Sequence, residues 1–338
     1  MKKAIVSFLK ISIGFGIAGF LIWFSFHDLT EEDLNDIKSA LLGARFWLIL
    51  VVFAILLFSH WIRSLRWKQM IVPMHYNPPV FDLLCGLLIG YFANQLLPRA
   101  GEIIRCTAVA KKNKIPAEKL IGTIVVERAV DLICLLVLSV ATFFIEYKHI
   151  SVYAKEIISA ISIYFVNNTT IAIVILIAFA VLIAFVIDFM RKRSANKNGF
   201  FWKMLTGLKE GLLSIKKVKN KWLYFFYTII IWLCYIVSTW IGCFALEQTA
   251  HLSFSSSIAL LVFGTFGIIV APGGLGAYPI AIQKTLVLYG LSANIGMAAG
   301  WLLWTAQFAF NIIFGTIAYL FLAFNNKKKH EEYGVYST

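Results

Sequence analysis

Apolar residues in this chain fall in long unbroken blocks, not in the alternating or one-sided patterns of soluble elements. Blocks at 4–26, 46–70, 119–145, 169–190, 222–246 and 294–324 each approach the roughly 20 residues a helix needs to cross a bilayer. They predict six full transmembrane helices. Two further blocks, 80–97 and 255–271, are shorter and run into backbone-breaking sequence: Asn94-Gln-Leu-Leu-Pro-Arg-Ala-Gly after the first, Pro272-Gly-Gly-Leu-Gly-Ala-Tyr-Pro after the second. Proline and glycine at these densities mark turns. Each block is followed by a second short arm. Basic residues flank the first such segment on both sides, so a full crossing would strand one cluster on the wrong face. Both segments are therefore expected to be re-entrant helical hairpins, at about 80–112 and 255–291. Broken backbone at membrane depth is tolerated only where protein or water covers it. Between the fourth and fifth spans, Phe201, Met204, Leu205, Leu208, Leu212 and Ile215 recur at helical spacing within a basic stretch. This predicts an amphipathic interfacial helix at about 200–216.

The positive-inside rule orients this layout. With the amino terminus cytoplasmic, 24 of the 31 lysines and arginines fall on the cytoplasmic side. Both termini are then expected in the cytoplasm of an inner-membrane, multi-pass protein. Residues 1–326 form the membrane domain and 327–338 a cytoplasmic tail. The unit of span two, hairpin one and span three is repeated upside down by span five, hairpin two and span six. The expected fold class is all-α: a polytopic integral membrane protein with six full transmembrane helices plus two oppositely inserted re-entrant helical hairpins, an inverted repeat. Many transporters place a central site between such broken helices.

Composition agrees and narrows the function. The chain is 60% hydrophobic and 14% charged, with mean hydropathy +0.81. A soluble domain carries near a quarter charged residues, so a water-soluble catalytic domain is excluded. The net charge of +14 follows from topology and attraction to anionic lipid, and no nucleic-acid partner is expected. The five cysteines form no C-x-x-C pair and read as small buried hydrophobes. The six histidines show no ligand spacing, so no metal and no cofactor is expected.

The chemistry concentrates in residues 94–131. Arg99, Glu102, Arg105, Glu127, Arg128 and Asp131 lie in or beside apolar sequence. Each charge at a bilayer centre costs roughly 2.5–3.5 kcal/mol, so they must pair or reach water. Three are positive and three negative, which permits pairing. Glu127 and Asp131 are four apart and share a helix face. Arg128 is three before Asp131 and within pairing reach of it. These groups either close an internal ion network or hold a charged lipid headgroup, with proton uptake as a further role. Helix starts after Pro98 and near Pro279 would converge and expose unpaired N–H groups, an anion site. Arg99 at the first tip would either fork onto a phosphate or neutralise a carboxylate. Gly273, Gly274 and Gly276 permit tight turns and close ligand approach. Lys284 is either an attractor for an anionic headgroup part-way down the second hairpin or an outer-surface lysine. Arg63 and Arg66 are expected to snorkel to the inner surface, with a role in headgroup entry as the alternative.

The set Asn94-x-x-Leu-Pro-x-Arg/Gly-Glu-x-x-Arg, Glu127-Arg-x-x-Asp131 and Pro272-Gly-Gly-Leu-Gly resembles the transmembrane flippase domain of lysylphosphatidylglycerol synthases, a family that includes stand-alone flippase-like membrane proteins. The resemblance spans about residues 4–324. It implies a lipid translocase with re-entrant helices, and headgroup contacts from Asn94, Arg99, Glu102, Arg105, Glu127, Arg128, Asp131, Gly273, Gly274, Gly276 and Lys284. In the family a glutamate often follows the Gly-Leu-Gly by a few residues, where this chain has Tyr278 and Pro279. No aminoacyl-transferase domain accompanies the motifs. The chain is thus expected not to make the lipid, and lysylphosphatidylglycerol need not be its substrate. The expectation is a flippase, not an enzyme, for an aminoacyl-phospholipid or a polyprenyl-phosphate-linked glycan. An intramembrane lipid-linked sugar transferase, and a membrane subunit of a cytoplasmic synthase or transferase, are the alternatives. Oligomeric state is left open.

Overall fold

A computed structural model of the chain describes residues 16, 18–27, 29–96, 100–147, 218 and 220–334. Most of the first span, the fourth span, the amphipathic stretch at 200–216, and Pro98 with Arg99 lie outside the described residues. Among the described residues regular structure is entirely helical. After helical residues 18–26 (α1) come α2 (Glu31–Leu42), α3 (Trp47–Ile71), α4 (Val80–Leu96), α5 (Gly101–Asn113) and α6 (Ala117–Ile145). Then follow α7 (Lys221–Cys243), α8 (Phe254–Val270), α9 (Ala277–Leu288) and α10 (Ala293–Gly334).

Among the described residues three stretches are long and apolar enough to cross a membrane: Trp47–Met74, Lys221–Cys243 and Ala293–Phe324. They coincide with the second, fifth and sixth predicted spans. The third predicted span is the 29-residue α6, which carries Glu127, Arg128 and Asp131 within its apolar sequence. Leu50 and Phe58 on α3, Val137 and Phe144 on α6, Phe226 and Ile229 on α7 and Ile317 on α10 are exposed. Apolar side chains of this number on an outer surface need lipid to cover them. The last helix runs to Gly334, so it continues past the end of the predicted span into the expected tail.

Local chemistry sets the helix ends. Thr30 and Asp33 form a reciprocal capping box at the start of α2. Asn220 caps α7 and Ser253 caps α8 through their side-chain oxygens. At α9 the cap is Gly276, at φ 75°, and Pro279 falls in the first turn, where a missing N–H costs no helical bond.

The packing has an internal order. α4 pairs with α5, and α8 pairs with α9, each as a helical hairpin. If α3–α6 is matched to α7–α10 in sequence, the contacts map onto themselves. Thus α3 on α4 corresponds to α7 on α8, and α5 on α6 to α9 on α10. Likewise α4 on α10 corresponds to α8 on α6, and α3 packs on α7 along the shared seam. The C-terminal end of α4 also reaches the second hairpin turn. A Cβ at Gly273 would lie 2.7 Å from Gln95 Oε1, and the Gly273 carbonyl accepts a 2.9 Å hydrogen bond from Trp304 Nε1.

Candidate functional site

α3 repeats polar residues at helical spacing, His60, Arg63, Arg66 and Trp67, so they share one face. α6 places Thr123, Glu127 and Asp131 at four-residue steps along the facing stripe. α5 contributes Arg105 across the hairpin, and α7 contributes Tyr224, Thr228 and Tyr235. Where these four helices meet, three guanidiniums surround two carboxylates.

Glu127 is the hub, 1% exposed. Its Oε1 and Oε2 accept from Arg105 Nη1 and Nη2 at 3.2 and 3.0 Å, the fork-to-fork geometry that makes such pairs strong. Arg63 Nε lies 2.9 Å from Glu127 Oε1. Arg66 Nη2 lies 3.7 Å from Glu127 and donates to Asp131 Oδ1 at 2.9 Å. Arg63 also pairs with Asp131 and donates to the hydroxyls of Tyr91 and Tyr235. Arg66 donates to Thr228 Oγ1 at 3.2 Å. The Arg105 guanidinium stacks 3.8 Å above the Trp67 ring, and Trp67 is held by a 2.7 Å hydrogen bond to Thr123. Cation–π contact of this kind partly replaces lost hydration. Three positive charges against two negative leave one positive charge in excess.

The cluster forms one end of a cavity of about 490 Å³. Along α3 its wall runs through Ile49, Val52, Leu56, His60 and Arg63, about 21 Å at ~1.5 Å per residue. One end is thus apolar and the other carries Arg63, Arg128, Asp131, Tyr91 and Tyr235. Asp131 is the accessible carboxylate, its side chain 13% exposed. The shape suits an amphiphile, with charge at one end and hydrocarbon along the other.

The sequence-based candidates are placed as follows. Arg105, Glu127 and Asp131 meet in the cluster. Asn94 caps the hairpin turn, its Oδ1 accepting from the Gly101 N–H at 2.8 Å. Gly273, Gly274 and Gly276 take positive φ of 60°, 74° and 75° in the second turn. Arg99 lies outside the described residues. Lys284 is exposed on α9 and is not part of the cavity wall. Two expectations are corrected. Arg128 pairs not with Asp131 but with Glu102 on α5, at 3.1 Å. Arg63 and Arg66 do not snorkel: they are 5% and 0% exposed and supply two of the three guanidiniums. Their three-residue spacing within an apolar helix was the available signal.

The Arg128–Glu102 pair differs in kind from the cluster. Its side chains are 46% and 31% exposed, and exposed pairs contribute about 0–1 kcal/mol. Arg128→Gln is expected to shift thermal unfolding in detergent by no more than about 1 kcal/mol equivalent.

Residues 11–323 match the family described as lysylphosphatidylglycerol synthase TM region. The chain is similar to the UPF0104 membrane protein MJ1595 of Methanocaldococcus jannaschii, 22% identical over 307 residues, which cover 88% of this chain and 91% of that protein. No solved structure matches. The family match takes in both hairpins, all three arginines of the cluster and both of its carboxylates: the chain belongs to the family of the lysylphosphatidylglycerol synthase transmembrane region.

Proposed function

We propose that the protein is a flippase that moves a phosphate-bearing lipid between the leaflets of the inner membrane. In this reading six helices span the bilayer, with α4–α5 and α8–α9 entering it from opposite faces as re-entrant hairpins and both termini cytoplasmic. The observation that carries it is the buried cluster of Arg63, Arg66, Arg105, Glu127 and Asp131, with its excess positive charge, at the polar end of a cavity whose remaining wall is largely apolar. An anionic phosphate would complete that charge balance, and Arg63, facing the cavity, is the group to meet it. The lipid chains would lie along Val52, Leu56 and Leu135. Ion clusters at membrane depth are expensive and mark substrate paths. The saturation of Glu127 and Asp131 by guanidiniums speaks against either acting as the general base of a transferase, because a base needs a free lone pair aimed at substrate.

Translocation of labelled phosphatidylglycerol and of a polyprenyl phosphate in proteoliposomes tests the reading. Wild-type protein is expected to exceed empty liposomes for at least one of them. Arg63→Gln leaves Arg66 and Arg105 to balance Glu127 and Asp131, so the cluster loses its excess charge and becomes neutral. It is expected to slow translocation roughly 10- to 100-fold, the cost of a lost charged hydrogen bond. No translocation of either lipid by wild type would refute the proposal.

A further inference from the structure

Three residues belong both to the cavity wall and to the outer surface: Arg128 and Leu132 on α6 and Ile269 on α8. Leu132 is 45% exposed and Ile269 is 64% exposed, and α6 packs on α8. Along α6, Ile121, Val125, Arg128, Leu132 and Leu136 recur at steps of three and four and form one exposed stripe. Apolar side chains exposed in such a row need lipid against them. Arg128 is the one charge among those five, and a charge beside lipid is costly without an anion or water to meet it. It also differs from the arginines of the cluster. The Arg128 side chain is 46% exposed, whereas those of Arg63, Arg66 and Arg105 are 6%, 0% and 5% exposed. Arg128 pairs with Glu102 at 3.1 Å, but Glu102 sits on α5 and is not part of the cavity wall. A carboxylate outside the cavity thus holds a guanidinium that reaches its wall. Asp131, the partner of Arg63, lies three residues further along α6, about 4.5 Å along the helix axis. A lipid phosphate offers a guanidinium the same paired oxygen acceptors as a carboxylate, so it can replace Glu102 on Arg128.

We infer that the lipid enters the cavity sideways from the bilayer, between α6 and α8, and that the Arg128–Glu102 pair is the latch on that entrance. Arg128 leaves Glu102 for the incoming phosphate and passes it about one helical turn onward, to Arg63. The acyl chains pass between Leu132 and Ile269. Glu102 competes with the lipid for Arg128 and so sets how readily the entrance loads. This inference rests on the phosphate-lipid reading above and adds the route and the residues that control it.

Initial translocation rates of labelled phosphatidylglycerol and polyprenyl phosphate, measured in proteoliposomes against the mole fraction of labelled lipid, give a half-saturating fraction and a maximal rate. Arg128→Gln is expected to raise the half-saturating fraction roughly three- to tenfold and leave the maximal rate nearly unchanged, as loss of a loading contact does. Glu102→Gln frees Arg128 and is expected to lower the half-saturating fraction roughly threefold. Both substitutions remove the same ion pair, so a pair that only braces α5 on α6 would give shifts of one sign. Opposite signs require that Glu102 and lipid compete for Arg128. Leu132→Trp narrows the entrance and is expected to slow translocation at every lipid fraction. Val137→Trp, at an exposed α6 position outside the cavity wall, is expected to leave it unchanged. Shifts of one sign, an absent shift in either charge variant, or full activity in Leu132→Trp would overturn the inference and leave the phosphate reading standing. Failure of the wild type to move either lipid overturns both.

Discussion

Glu127→Leu is expected to destabilise the folded protein by about 3–5 kcal/mol, the usual consequence of stripping the partner from a buried charge. Glu127 serves Arg63, Arg66 and Arg105 from one carboxylate that is 1% exposed. Without it three guanidiniums face Asp131 alone, and the excess rises from one positive charge to two. No second carboxylate among the described residues of the cluster is placed to answer it. Equilibrium unfolding in mixed micelles measures the loss directly.

The same logic predicts a rescue. In Glu127→Leu with Arg105→Met, the remaining Arg63, Arg66 and Asp131 carry one excess positive charge, as in the wild type. The double variant is expected to recover more than about 1 kcal/mol relative to the sum of the single changes, the size of coupling seen between residues in one network. Recovery would not be complete, because Arg105 also stacks on Trp67. Simple additivity would mean that the three arginines do not share Glu127 as a common counter-ion.

The ion cluster was half legible in the sequence, and the reason for the missing half is physical. The six charges in or beside apolar sequence, Arg99, Glu102, Arg105, Glu127, Arg128 and Asp131, sum to zero, so nothing in that tally demands more partners. Arg63 and Arg66 lie near the basic end of their helix, where long side chains ordinarily reach water. What the sequence does not encode locally is that α3 packs along α7 and faces α6, which turns those side chains inward onto Glu127 and Asp131. The Arg128–Asp131 pairing failed for a related reason. Three residues of helix allow the contact, but Glu102 on the neighbouring α5 offered Arg128 an alternative partner. By contrast, features written in the backbone were readable. Pro272-Gly-Gly-Leu-Gly announced a turn with positive φ, and the breaks at Asn94–Gly101 and Pro272–Pro279 announced two interrupted helices. The expected convergence of the helix starts after Pro98 and near Pro279 involves residues outside those described; within them, Gln95 at the end of α4 lies beside Gly273.

Gly101→Ala is expected to break the first hairpin, with a loss of at least about 1–3 kcal/mol, the cost of overpacking a close contact. A Cβ there would lie 2.0 Å from the Gly90 carbonyl oxygen and 2.6 Å from the Asn94 side chain. Backbone cannot rotate aside as a side chain can, so the two helices must separate. Separation costs the Asn94 cap on the Gly101 N–H and shifts Arg105, whose Cβ would meet a Gly90 methyl at 2.9 Å. Close backbone approach through small residues is how helices pair where lipid removes the hydrophobic drive. The second hairpin uses the same device: a Cβ at Gly267 would lie 2.8 Å from Tyr278 Cα and 2.9 Å from the Ala277 carbonyl oxygen. Gly267→Ala should therefore cost a similar amount. Gly122→Ala supplies the control, since Gly122 is on α6 with nothing within 4 Å, and alanine there should gain up to about 1 kcal/mol from helix propensity. Thermal unfolding of the three variants separates contact from propensity. Because Arg105 is carried on the arm that Gly101 positions, Gly101→Ala should also slow lipid translocation more than its stability loss accounts for, whereas Gly122→Ala should leave it intact. Equal stability of Gly101→Ala and Gly122→Ala would show that α4 and α5 do not meet at Gly90 and Gly101.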